Sequence, residues 1–340
     1  MAASPFPVLP PVSFISMLRS SLLYLSRQQG VFSFIKNVGF ARKMASRFVA
    51  GETIDTALDA VQALNAKGIT ASLDLLGESV SNETEARETG RQYLLLLDRI
   101  AQRNLDANVS VKLTALGQDI SDALGVEVVR SVLERAKQYG SFVRLDMESS
   151  AYTDRTLDTF EQALYPDYRD NVGVVLQSSL RRTLADVDRT NRLHCRVRIC
   201  KGAYLEAADV AFPEKSDVDK NYVEAMHRLM QHGRYPGIAT HDELIISDAK
   251  RFAKANNIAN DRFEFQMLYG VRRDLQDSLV KEGYRMRVYV PFGTQWYPYL
   301  MRRLAERPAN LAFMTVNIVK EMLGGSGGSS ARDSAKNGTH

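Results

Sequence analysis

The sequence predicts an α/β fold, a (β/α)8 TIM-like barrel with an N-terminal helical arm, on three observations. Eight short strand-like runs alternate with longer helical segments between Ala71 and Gly293. Such alternation makes parallel βαβ units, and eight of them close into a barrel. The Gly-rich first turn that marks the rival doubly wound sheet is missing after the first run. Third, several runs alternate apolar with polar residues, whereas parallel strands packed on both faces usually read as continuous apolar stretches.

The first run spans 71–76. In the second, 108–116, Val109, Val111 and Leu113 alternate with Ser110, Lys112 and Thr114. The third, 143–149, sets Leu145 and Met147 against Arg144, Asp146 and Glu148. The fourth, 172–178, is apolar until Gln177, and the fifth, 196–202, sets Val197 and Ile199 against Arg196, Arg198 and Cys200. The sixth, 237–241, ends in Thr240 and His241, with Asp242 placed to cap the next helix. The seventh, 263–268, alternates Phe263 and Phe265 with Glu264 and Gln266, and the eighth, 286–293, carries Tyr289.

Helices outside the barrel require the apolar set to face outward, so the polar set faces the axis. Each polar group buried without a partner costs about 1–3 kcal/mol. A large polar ligand in the barrel mouth is the expected partner. Active sites of such barrels lie at the C-terminal strand ends, where Lys112, Asp146, Gln177, Arg198, Lys201, His241, Gln266 and Tyr289 fall.

Past the last run, Tyr299, Arg302, Arg303 and Glu306 share one face at helical spacing. Two adjacent guanidiniums suit a small carboxylate, because their planar donors meet it in paired hydrogen bonds. The competing reading is a solvated face with an Arg302–Glu306 pair, worth only about 0.3–0.5 kcal/mol. Lys112 has three readings: a Schiff-base nucleophile, a carboxylate contact, or a lysine reaching solvent. Asp146 suits a ligand hydrogen bond or an ion pair with Arg198 or Lys201.

The histidines show no metal-ligand spacing, and no metal site is expected. No Gly-x-Ser-x-Gly elbow occurs, and neither Cys195 nor Cys200 has a recognisable histidine partner, which removes nucleophilic hydrolase chemistry. Two classes remain: a lysine lyase using Lys112 or Lys201, and a barrel that holds an organic cofactor.

Six of the 44 basic residues lie in residues 1–51, which contain no Asp or Glu, leaving 38 basic against 40 acidic residues in the remainder. A near-neutral body argues against nucleic acid as a partner. The acid-free arm, 1–46, fits a targeting segment, a helix on an anionic membrane surface, or helices packed on the body. The barrel is expected over 47–323, and the Gly/Ser-rich end, 324–340, as a disordered tail. Two cysteines without a disulfide pattern fit a reducing compartment.

These runs carry a resemblance. Val109-Ser-Val-Lys-Leu-Thr114, Arg144-Leu-Asp-Met-Glu148, Val174-Val-Leu-Gln177, Val197-Arg-Ile-Cys-Lys-Gly-Ala-Tyr204, Ala239-Thr-His241, Phe263-Glu-Phe-Gln266, Arg287-Val-Tyr-Val-Pro291 and the stretch from Tyr299 to Glu306 resemble the proline dehydrogenase family, above all its monofunctional bacterial members. The resemblance runs from about residue 47 to 315. It implies a distorted barrel with FAD in its mouth, oxidation of L-proline to 1-pyrroline-5-carboxylate, and transfer of electrons to a membrane quinone. It implies a cytoplasmic enzyme peripheral on the inner face of the membrane, or one on the matrix side of the mitochondrial inner membrane.

Carried over by position, Arg302, Arg303 and Lys112 bind the proline carboxylate, Glu306 orients the arginines, Tyr289 packs over the ring, and Tyr204 and Tyr299 wall the pocket. Arg198 and Gln177 contact the flavin, with Arg198 beside its reacting edge, where a fixed cation stabilises developing negative charge. Lys201, Gly202, Ala203, Thr240, His241 and Gln266 complete the cofactor set, and Asp146 belongs to the catalytic neighbourhood. Two features bear on the match. Arg307-Pro308 follows Glu306 where the family commonly has Asn before a small residue, and Tyr289 is retained where hydroxyproline-oxidising relatives carry something smaller.

Overall fold

The computed structural model describes residues 45–306, with side chains through Met301. The basic arm up to residue 44 and the Gly/Ser-rich tail lie outside the described residues. Ser46–Trp296 form one compact unit, and Ala45 with Tyr297–Glu306 are the described part of a second.

The larger unit is a closed barrel of eight parallel strands whose spatial order follows the sequence. They are β1 (Thr70–Leu75), β2 (Ala107–Val111), β3 (Val143–Leu145), β4 (Val172–Gln177), β5 (Arg196–Cys200), β6 (Gly237–Ala239), β7 (Glu264–Leu268) and β8 (Met286–Phe292). Closure is made by β8 pairing with β1, from Thr70 opposite Arg287 to Leu75 opposite Phe292.

Several strands are shorter than the runs that mark them. β2 stops at Val111, and Thr114–Leu116 form a buried 3₁₀ turn where a strand to residue 116 is expected. β3 stops at Leu145, so Asp146 and Glu148 stand on the rim beyond it. Apolar–polar alternation persists past the last ladder bond, because inward and outward faces still differ in polarity there.

The connecting helices start on side-chain caps. Thr53 forms a capping box with Thr56, while Asn82 and Ser121 accept from the amides of Glu85 and Leu124. Asp242 caps Glu243–Ala255 as expected, accepting from Leu244 N at 3.1 Å. The outward strand residues Val109, Val111, Val143, Leu145, Ile199 and Phe265 are fully buried in one continuous apolar shell beneath these helices.

Inside, the polar residues bond to one another, which corrects the expectation that a ligand must satisfy them. On the lower level Glu264 accepts from Arg287 Nε (2.8 Å), Gln266 Nε2 (2.6 Å) and the Tyr235 hydroxyl (3.1 Å). Arg144 donates to the carbonyls of Val174 and Arg196. Its guanidinium occupies space left by Gly173, where an added Cβ would lie 2.6 Å from Arg144 Nη1. Pairing of neighbouring strands brings these inward groups within reach of one another, so they meet without a guest.

Candidate active site

The C-terminal end of the barrel carries two polar groupings. The inner one centres on Arg198 of β5, which donates to Asp146 Oδ1 (2.8 Å), Gln266 Oε1 (2.6 Å) and Ser110 Oγ (3.2 Å). The other Asp146 oxygen accepts from the Tyr289 hydroxyl at 2.8 Å, and the Arg198 guanidinium lies 5.3 Å from the Tyr289 ring centre. Of the two partners open to Asp146 in the sequence, the structure selects Arg198. Arg198, Asp146, Gln266 and Tyr289, drawn from four strands or strand ends, thus form one connected cluster. Burial first, and then the Asp146 charge, push the Tyr289 phenol well above its usual range, so it stays protonated.

Lys112 stands beside this cluster and pairs with Asp74 of β1 at 2.8 and 3.1 Å. Burial opposes the charged ammonium, but Asp74 and then Asp146 hold Lys112 well above the usual lysine range. A lysine held cationic is a poor nucleophile, which weighs against the Schiff-base reading. Asp74 was legible by the same rule as the others, since Ser72 and Asp74 alternate with Ala71, Leu73 and Leu75.

Glu148 is a second residue that the site reading leaves out. Its carboxylate accepts from Thr114 Oγ1 (2.6 Å) and Thr114 N (3.3 Å), and Gln177 Nε2 donates to its carbonyl at 2.8 Å. Burial, against the Thr114 bonds and the Lys112 charge, raises its pKa to about 7.

The rim grouping follows β5 and β6. Lys201 Nζ lies 2.5 Å from Asp219 and 3.0 Å from Asp242, while Asp242 N donates to Thr240 Oγ1 at 3.0 Å. His241 Nε2 accepts from Leu268 N at 3.0 Å, which places the proton of a neutral ring on Nδ1. Gly202 has φ +104°, and a Cβ there would lie 2.4 Å from Ser179 Oγ. The segment beyond, with Ala203 and Tyr204, is tied down by Glu206, which accepts from Ser150 N (2.7 Å) and Oγ (2.5 Å).

The backbone is helical over Trp296–Glu306, as the spacing predicts. Tyr299 is buried. The side chains of Arg302, Arg303 and Glu306 lie outside the described residues.

The comparisons agree with this architecture. The model of the family described as proline dehydrogenase matches residues 57–316. The proline dehydrogenase of Deinococcus radiodurans is 45% identical over 280 residues, covering 82% of this chain and 90% of that one. Proline dehydrogenase 1 of Bacillus subtilis is 41% identical over 305 residues, covering 90% of this chain and 100% of the relative. The crystal structure of proline utilization A from Bdellovibrio bacteriovorus, inactivated by N-propargylglycine, superposes with a TM-score of 0.75 at 26% identity. That match covers 92% of this chain but only 38% of the larger protein. A match to the family over more than two thirds of the sequence, on an eight-stranded barrel with its polar cluster at the strand ends, places the chain in the proline dehydrogenase family.

Proposed function

We propose that this chain is an FAD-dependent L-proline dehydrogenase that oxidises L-proline to 1-pyrroline-5-carboxylate and passes the electrons to a membrane quinone. The observation that carries the reading is the buried Arg198–Asp146–Tyr289 cluster at the mouth of a barrel of this family. The residues present fit a flavin nucleotide. Neighbouring strands β4–β7 bring amides and cations to one arc of the mouth through Gln177, Arg198, Lys201, Thr240, His241 and Gln266. Gly202, whose φ of +104° and close Ser179 Oγ demand glycine, and Ala203 continue this arc. Bound there, FAD supplies the hydride acceptor.

The chain's own residues then bind, orient and exclude water. By position in the family motif, Lys112 is assigned to the substrate carboxylate, as are Arg302 and Arg303, and Glu306 is assigned to orient the arginines. This clamp supplies orientation more than reactivity. The Tyr289 ring packs over the proline ring, with its hydroxyl fixed by Asp146, and Tyr204 and Tyr299 complete the walls. Arg198, fixed by three hydrogen bonds, presents a stationary positive charge where negative charge develops. Both Asp146 oxygens are engaged, which favours solvent as acceptor of the proline N–H proton and gives Asp146 an orienting part.

Among the described residues no helix is long and apolar enough to cross a membrane. Contact with a quinone-bearing, anionic membrane surface is assigned to the basic arm. The purified protein with added FAD tests the central reading. It should show flavin absorption near ~450 nm that bleaches on anaerobic addition of L-proline. Flavin that binds but does not bleach would mark an amino-acid or flavin sensor, and a protein that never binds flavin would end the proposal.

A further inference from the structure

Asp74 is the second-last residue of β1 and is 1% exposed. Its carboxylate faces Lys112 across the β1–β2 pair and accepts two hydrogen bonds from Nζ. Among the described residues, Asp74 is the ion-pair partner of Lys112. Asp146 accepts from Arg198 and Tyr289 and acts on Lys112 through its charge, whereas Asp74 bonds Nζ directly.

An ammonium has three N–H donors, and the pair with Asp74 uses at most two. At least one is left for another acceptor. A lysine on a four-carbon stem otherwise loses much rotamer freedom to adopt one pose. Asp74 imposes that order before any substrate arrives.

We propose that Asp74 is a positioning residue, which keeps the Lys112 ammonium charged and aimed so that its remaining N–H meets the carboxylate of an imino-acid substrate. This inference rests on the reading of Lys112 as a carboxylate contact given above. A merely structural pair would also stabilise the barrel, so the test needs readouts that separate the two roles.

The experiment uses the full-length, FAD-loaded enzyme and its Asp74→Asn and Asp74→Glu variants. Anaerobic flavin reduction is followed with L-proline and with pyrrolidine, the same ring without a carboxylate. In Asp74→Asn the apparent Kd for proline should rise about tenfold or more, while the limiting rate changes less than about threefold. Reduction by pyrrolidine should match wild type.

Binding of cyclopentanecarboxylate, measured against pH, gives a second readout. Wild-type affinity should be level between about pH 8 and 10, above the titration of Glu148, because Lys112 stays charged throughout. The groups acting on Lys112 are Asp74 from β1, Glu78 from the loop after it, Tyr93 from the helix Glu83–Gln102, and Asp146 and Glu148 beyond β3, of which Glu148 has a pKa of about 7. With Asp74 neutralised, burial lowers the Lys112 pKa and affinity should fall toward the alkaline end. Asp74→Glu keeps the charge, so it should show weaker proline binding without the alkaline loss.

Proline and pyrrolidine affected alike, or an Asp74→Asn enzyme with wild-type proline affinity and level pH dependence, would overturn the inference. If Asp74→Asn does not fold, Asp74→Glu decides: wild-type proline affinity in that variant sinks the idea. A wild-type flavin that proline fails to bleach would instead sink the functional reading beneath it.

Discussion

Removing both partners of the buried Arg198–Asp146 pair should destabilise the barrel by clearly less than the two single removals added together. The two side chains are 8% and 10% exposed and meet at 2.8 Å. Asp146→Ala strands the guanidinium and also deprives the Tyr289 hydroxyl of its acceptor. Breaking a buried pair from one side costs about 3–5 kcal/mol. Arg198→Met leaves Asp146 with Tyr289 as its remaining donor, so its loss belongs at the low end, about 3 kcal/mol. The double variant has no stranded charge, and its loss should fall short of the sum by about 2 kcal/mol. Urea denaturation of all four proteins closes the cycle. It must be run over a range of added FAD, since a ligand bound to the native state raises apparent stability by mass action. Additivity within about 0.5 kcal/mol after that correction would refute the reasoning.

Further outcomes follow from single sites. Glu148 has a folded pKa of about 7, above the ordinary carboxylate value near 4.5, so the native state holds an extra proton between these pH values. Stability should therefore fall as pH rises through that window, by at most about 3 kcal/mol, and Glu148→Gln should flatten this slope in pH-dependent melts. Gly202→Ala combines a positive φ with a 2.4 Å approach to Ser179 Oγ and should lower stability by about 1–3 kcal/mol, with weaker FAD retention on gel filtration. Arg302→Met and Arg303→Met should each lower kcat/KM for proline about ten- to hundredfold with FAD still bound, and flavin loss with unchanged proline kinetics would contradict the clamp. Deleting residues 1–46 should abolish co-sedimentation with anionic liposomes and leave flavin reduction by proline intact.

Much of the barrel was legible because its signals are local. Strand–helix alternation reports the period at which side chains change face, and the polar half of Val197-Arg198-Ile199 points inward whichever strand lies opposite. Strand ends were less legible, since the polarity pattern outlasts the ladder at Lys112 and at Asp146. Glu148 escaped as a site residue because its raised pKa arises from burial, which outweighs the opposing Thr114 bonds, and neither is written in its neighbours.

Sequence alone determined the fold class, the inward direction of the polar rows, the capping by Asp242 and the family to which the chain belongs. Only the tertiary structure decided who pairs with whom: Lys112 with Asp74, Asp146 with Arg198 and Tyr289, Glu264 with Arg287. Those partners stand between 23 and 143 positions apart: Lys112–Asp74 and Glu264–Arg287 meet through pairing of neighbouring strands, and Asp146 meets Arg198 and Tyr289 because the closed sheet turns β3, β5 and β8 toward a common axis. Local pattern encodes which way a side chain faces, whereas long-range closure sets what it finds there.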